Sequence, residues 1–150
     1  MSKVWANPTW FFLHGMAEKV DEDFYNKNYR ACLGIVKQIC NILPCPICRK
    51  EAIQYIKNIR PHHVKDKESF KKMLFVFHNK VNARLRKRRF LYKDLEKYKN
   101  LKFIRTTQVM CRQLRRFNSK SMYRATQSAG IVRYINNIEN SVRKYIKFFL

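Results

Sequence analysis

Five cysteines and four histidines are the side chains best suited to electron, metal or nucleophile chemistry in this chain. Two of the cysteines stand in Cys45-Pro46-Ile47-Cys48. Two intervening residues place both sulfurs on one side of a helix start, close enough to join. A helix N-terminus stabilises a thiolate there and makes it reactive. As a bare CxxC the motif has three readings: a redox dithiol, half of a zinc site, or two unrelated buried cysteines. Zinc takes four ligands, usually completed by a second pair. His62 and His63 are adjacent, not spaced as a zinc finger needs. Cys32 and Cys40 lie about two turns apart on an apolar stripe, which favours core packing. A thioredoxin-type motif needs strands and a βαβ unit, and strand signals here are poor.

A redox dithiol needs an acceptor, either another thiol pair or a cofactor. Phe77-His78-Asn79-Lys80-Val81-Asn82 offers a place for one. On a helix, His78, Val81, Asn82 and Leu85 share a face. Trp10 and His14 are one turn apart on another helix. Each stretch alone reads as an amphipathic helix with a core histidine. Together with the CxxC they make a wall for a flat, aromatic cofactor, in a pocket that is mostly apolar with a few placed polar groups.

Helices must position these residues. Asn7-Pro8 reads as a cap and a first-turn proline, opening a helix that stops near Val20, before Asp21-Glu22-Asp23. The stripe Cys32, Ile35, Val36, Ile39, Leu43 predicts a helix over 29–43. A third starts at the CxxC and ends before Pro61. A fourth starts near Asp66 and runs through Phe70, Met73, Leu74, Phe77 and Val81 to the basic run 84–89. A short helical piece fits 92–98. Beyond it, 103–117 and 131–149 read as helices separated by a polar stretch. Short connections between four helices predict a bundle.

The chain has 150 residues, 46% hydrophobic and 14% aromatic, which excludes global disorder. Three glycines and four prolines exclude collagen-like and low-complexity readings, and the isolated Gly15, Gly34 and Gly130 do not build a phosphate-binding glycine loop. Thirty-three basic residues against ten acidic give +23. Residues 1–96 hold 20 basic and 9 acidic residues; residues 97–150 hold 13 basic residues and one acid, Glu139. About a third of the chain thus carries half the net charge, which marks a boundary near residue 99. No secretory signal pattern opens the chain, and no apolar run approaches the roughly 20 residues of a spanning helix. The expectation is a soluble intracellular protein.

Three segments, in order, closely resemble the Erv/ALR family of FAD-linked sulfhydryl oxidases: Trp10-Phe11-Phe12-Leu13-His14, Leu43-Pro44-Cys45-Pro46-Ile47-Cys48, and Phe77-His78-Asn79-Lys80-Val81-Asn82-Ala83-Arg84-Leu85. The resemblance covers about residues 4–99, and the compact viral members look most similar. It implies an all-α fold: a four-helix bundle plus a short fifth helix, usually a homodimer, with FAD at one end. Residues 1–99 would form this domain and 100–150 a basic helical extension. By the same likeness Cys45 exchanges with the substrate dithiol. Cys48 faces the flavin and passes electrons to it, and oxygen then takes them as hydrogen peroxide. Trp10 and His14 match positions lining the flavin. His78, Asn79, Val81, Asn82 and Leu85 match the adenine and ribose side, Lys87 a basic residue by the phosphates, and Tyr98 an aromatic closing the adenine pocket. No metal is implied.

The chain departs from the family pattern in several places. Near Ile56 and Leu91, where many members carry an extra cysteine pair, there is none. Cys111 alone cannot serve as a shuttle dithiol, so substrate proteins, or a small redox carrier, would meet Cys45 directly. Leu43 replaces a frequent tyrosine. Cys32 and Cys40 read as core thiols and Cys111 as a free one. The tail, with Arg112, Arg115, Arg116, Lys120 and Arg124 among Met110, Phe117 and Tyr123, reads as a solvated face. Its sharper readings are docking to an acidic partner, nucleic acid or a membrane. The rival classes are a basic zinc- or nucleic-acid-binding module and a structural virion component. Resemblance to viral members implies work in the cytoplasm of a host cell, on virion proteins.

Overall fold

The computed structural model describes residues 4–119 and 128–150. Met1, Ser2 and Lys3, and the tail positions Lys120, Tyr123 and Arg124, lie outside that range. The described residues are helical, without strands. Helix α1 spans Ala6–Lys19 and α2 Glu22–Ile42. Helix α3 spans Pro46–Lys57 and α4 Lys67–Arg84. Helices α5 (Phe103–Ser119) and α6 (Ser128–Lys144) follow, and 3-10 turns fill Pro61–Val64, Tyr92–Tyr98 and Ile146–Phe148.

Local chemistry explains most boundaries and the few corrections. Helix α1 begins one residue before Asn7, with Trp5 at the cap position and Pro8 inside the first turn. A first-turn N–H has no helical partner, so proline loses nothing there. Helix α2 starts seven residues earlier than its apolar stripe suggests. The acidic triplet is its beginning: the Asp21 carboxylate accepts from the Phe24 N–H at 2.8 Å. Glu22 and Asp23 then sit at the positive end of the helix dipole. Asn28 breaks the run with φ −126° and ψ 19°; its side-chain amide donates back to the Phe24 carbonyl at 2.8 Å, competing with the helical bond. Cys45 caps α3, its sulfur accepting from the Cys48 N–H at 3.2 Å, with Pro46 at the first helical position. Asp66 caps α4 through Ser69. Residues 92–98 form a 3-10 turn. The last helix ends at Lys144 rather than running to Phe149.

Helix α1 packs on α4, α5 and the Tyr92–Tyr98 turn, while α2 packs on α3, α6 and α4. One hydrophobic core joins Phe12, Met16, Leu33, Ile39, Phe70 and Leu74 to Met110, Leu114, Ile135 and Ile138. The basic C-terminal helices therefore share the core of the N-terminal bundle. Phe103 stacks on Phe12 at 5.2 Å, and Phe148 on Phe24 at 4.2 Å. The buried Asn118 amide donates to the Ile42 carbonyl at 3.0 Å, satisfying an end group that α2 leaves open. Gly15 lets α1 approach this layer: a Cβ there would lie 2.8 Å from Leu101 Cδ1. Arg115 reaches from α5 to Glu139 on α6 at 2.7 Å. Cys32, Cys40 and Cys111 are free and buried, and burial pushes each thiol up to about 12. No helix among the described residues is long and apolar enough to cross a membrane.

One shared core predicts one cooperative unfolding transition. Leu114→Ala should lower its midpoint by roughly 5–15 °C, as expected for a buried leucine truncation of about 2–5 kcal/mol. Scanning calorimetry checks this: a separately folded tail would leave the main transition in place.

Candidate functional site

A cavity of about 550 Å³ opens where α1, α3, the end of α2 and the end of α4 meet. Its apolar walls are Trp10 and Leu13 from α1, Ile39 and Leu43 from the end of α2, Ala52 from α3, and Phe77, Val81 and Leu85 on or just after α4. Cys48 and Cys40 also line it. His78, Asn82, Arg84, Lys87, Arg88 and Lys97 supply polarity.

The aromatic wall is layered. The Trp10 and His78 rings are parallel within 4° at 4.0 Å. Behind them His14 Nε2 meets His78 Nδ1 at 2.9 Å, so one ring donates and the other accepts. Tyr98, fully buried, stacks on His14 at 4.9 Å. Phe90 lies against His78 at 4.8 Å and is pinned by Asn79, whose side-chain amide bonds the Phe90 N–H at 2.8 Å and its carbonyl at 2.9 Å. Trp10, His78, Val81, Asn82, Leu85, Lys87 and Cys48 are thus brought together in the lining of one cavity. His14, Asn79 and Tyr98 do not line it; they brace the residues that do. Burial, then the neighbouring His78 and Lys97, lowers His14 to about 3. Burial, then Lys97 and Lys87, lowers His78 to about 4. Both rings are neutral at pH 7.

Lys87, Arg88 and Lys97 all belong to the cavity lining. Arg86 adopts φ 54°, the left-handed turn that stops α4. Asn82 holds the returning chain through its amide to the Arg88 carbonyl at 3.3 Å. That turn brings Lys87 and Arg88 to the cavity that Lys97 also lines, and none of the three forms an ion pair among the described residues. Unneutralised positive charge around an aromatic slot suits a flat group with an anionic tail.

Cys45 and Cys48 are joined as a disulfide, with Cα atoms 5.2 Å apart. Cys48 lines the cavity and Cys45 does not. The pair thus has an inner and an outer sulfur. The start of α3 favours negative charge on Cys45. Arg84 Nη2 lies 3.6 Å from Cys48 Sγ, and its Nε is paired with Glu51. Each sulfur therefore has its own source of positive potential when the bond opens.

Residues 7–100 match the Erv1 / Alr family. The chain belongs to this family. The FAD-linked sulfhydryl oxidases of African swine fever virus isolates from Kenya and Malawi are each 33% identical to it over 98 residues, covering 65% of this chain and 78% of theirs. An isolate from Namibia gives the same figures. No solved structure matches the chain significantly. A cavity-facing CxxC disulfide in a member of this family makes the protein a thiol oxidase.

Lys97, Phe90 and the Arg84 contact with Cys48 escape the sequence reading. Lys97 sits in a short turn whose charge looks solvated in one dimension. Phe90 has no helical periodicity around it. Arg84 stands in the matched segment, but its distance to a residue 36 positions away has no sequence signal.

Two outcomes follow from the electrostatics. After reduction, in a Cys45→Ser background, Arg84→Gln should slow alkylation of Cys48 at pH 7 about three- to tenfold, because less thiolate is present; iodoacetamide kinetics with mass spectrometry measure it. The two histidines remain neutral when folded but protonate near 6.5 when unfolded. Below 6.5 the unfolded chain binds more protons, so stability falls as pH drops from there toward about 4. His14→Gln should flatten this part of a plot of Tm against pH.

Proposed function

We propose that the protein is an FAD-dependent thiol oxidase that forms disulfides in substrate proteins, with oxygen as final acceptor. The observation that carries this reading is the position of Cys48: one residue of a disulfide lines an aromatic cavity that also holds several cations. That lining fits FAD. Trp10, Val81 and Leu85 offer flat apolar contact, Asn82 a hydrogen-bonding group, and Lys87, Arg88 and Lys97 the charge that two phosphates need. Held there, FAD would supply a two-electron acceptor for the protein dithiol that oxygen can reoxidise, with hydrogen peroxide as the product.

The protein's own steps are thiol–disulfide exchange. A substrate thiolate attacks Cys45 Sγ; the Cys45–Cys48 bond breaks and Cys48 leaves as a thiolate beside Arg84. The second substrate thiolate attacks the substrate sulfur of the mixed disulfide, and Cys45 leaves. Substrate loses two electrons and two protons. The protons reach solvent or the protein sulfurs, and the electron pair now resides on the Cys45–Cys48 dithiol.

Cys45 is the sulfur we assign to substrate because it is the one outside the cavity lining. Both free thiols of α2 are buried; Cys40 belongs to the cavity lining and Cys32 does not. The zinc alternative is disfavoured because the two CxxC sulfurs are bonded to each other. We further propose that the enzyme is a homodimer acting on virion proteins in the cytoplasm of a host cell, with either the proteins themselves or a small redox carrier as thiol donor. The basic helices are a second contact region for an acidic protein, nucleic acid or membrane.

The purified protein should show an oxidised-flavin spectrum that bleaches with dithiothreitol and returns in air. Cys48→Ser should keep the flavin but lose the bleaching, with turnover down at least about 100-fold. Stoichiometric zinc without flavin would sink the reading and favour the nucleic-acid module.

A further inference from the structure

The outer sulfur has a surface of its own. One face of α3 carries Pro46, Arg49, Lys50, Ile53, Gln54 and Lys57, at helical spacing, along a shallow depression of about 450 Å³. It starts beside Cys45, since Pro46 is the next residue. Arg49 Nη1 donates to the Leu43 carbonyl at 2.9 Å, which holds its guanidinium on the Cys45 side. Lys50 and Lys57 are exposed, and neither forms an ion pair among the described residues. The one acid of α3, Glu51, is engaged by Arg84. Ile47, between the two cysteines, is 65% exposed, a large apolar side chain presented to solvent at the reacting bond.

We infer that this face docks the substrate polypeptide, and that the substrate dithiol lies in an acidic segment with an apolar residue beside it. The inference rests on the thiol oxidase reading above and names its substrate class. The charge argues for the occupant. Three cations flank an apolar strip, so a basic or neutral segment gains nothing there and an acidic one is steered in. A second copy of this chain is disfavoured on this face, because a two-fold contact here would set Arg49, Lys50 and Lys57 against the same cations. Ile47 and Ile53 supply the apolar contact that sets register, while Arg49, Lys50 and Lys57 read charge.

The test compares three thiols as substrates of the flavin-loaded protein. Two are peptides with the same CxxC core, one flanked by Asp and Glu and the other by Lys. The third is dithiothreitol, too small to use the face. At low salt kcat/KM for the acidic peptide should exceed that for the basic one at least about tenfold, and the gap should shrink at ~0.5 M NaCl. The double variant Lys50→Glu/Lys57→Glu should abolish or reverse the preference while leaving dithiothreitol turnover unchanged. Equal peptide rates with normal dithiothreitol turnover overturn the docking face alone. So does a preference that survives the double variant, since it would then come from overall charge. A change in the protein's own sedimentation on charge reversal would assign the face to a second copy, and overturns the inference too. No turnover of any thiol sinks the oxidase reading and this inference with it.

Discussion

The contact between His14 and His78 is where α1 and α4 are tied together, and the site is built around it. A hydrogen bond between two imidazoles requires at least one neutral ring, whose bare nitrogen accepts. Burial and the nearby lysines keep both rings uncharged, so the bond and the stack around it coexist. Tyr98, His14, His78 and Trp10 form a continuous column from the interior to the cavity wall. Any tilt of α1 against α4 would break the column and open the wall. Phe90, held at its backbone by Asn79, closes the side of the column that the helices leave open.

That column separates two kinds of residue that one motif presents together. In the segment 77–85, His78, Val81, Asn82 and Leu85 reach the cavity, whereas Asn79 turns to the loop. Positions three and four apart on a helix share a face, so this division follows from geometry. The bracing residues hold the lining residues within narrow limits, which a reaction between a bound ring and a sulfur demands.

The C-terminal helices change how the bundle is understood. They lie in the stretch 97–150 that carries half of the net charge, yet their apolar stripes continue the main core rather than forming another. Phe103, Met110, Leu114 and Ile135 cover surfaces of α1 and α2 that would otherwise face water. Their cations stay outside. A basic exterior and a shared interior are compatible because charge on an amphipathic helix resides on the opposite face from the packing.

Several features were legible in one dimension. The caps at Asp66 and the CxxC, the proline stops and the 3.6-residue stripes depend on neighbours a few positions away, and local sequence carries them. The ordered motifs around Trp10, Cys45 and His78 were likewise readable, with the family they indicate. Acidic residues 21–23 looked like a turn because a cap and a turn use the same side chains; only the helix that follows tells them apart. Tertiary structure decided the rest. It made His14, Asn79 and Tyr98 braces instead of lining, brought Lys97 and Phe90 to the cavity, set Arg84 against Cys48, and merged the basic tail with the bundle core. Those outcomes depend on which helix faces meet, and that is determined by summed burial across the whole chain.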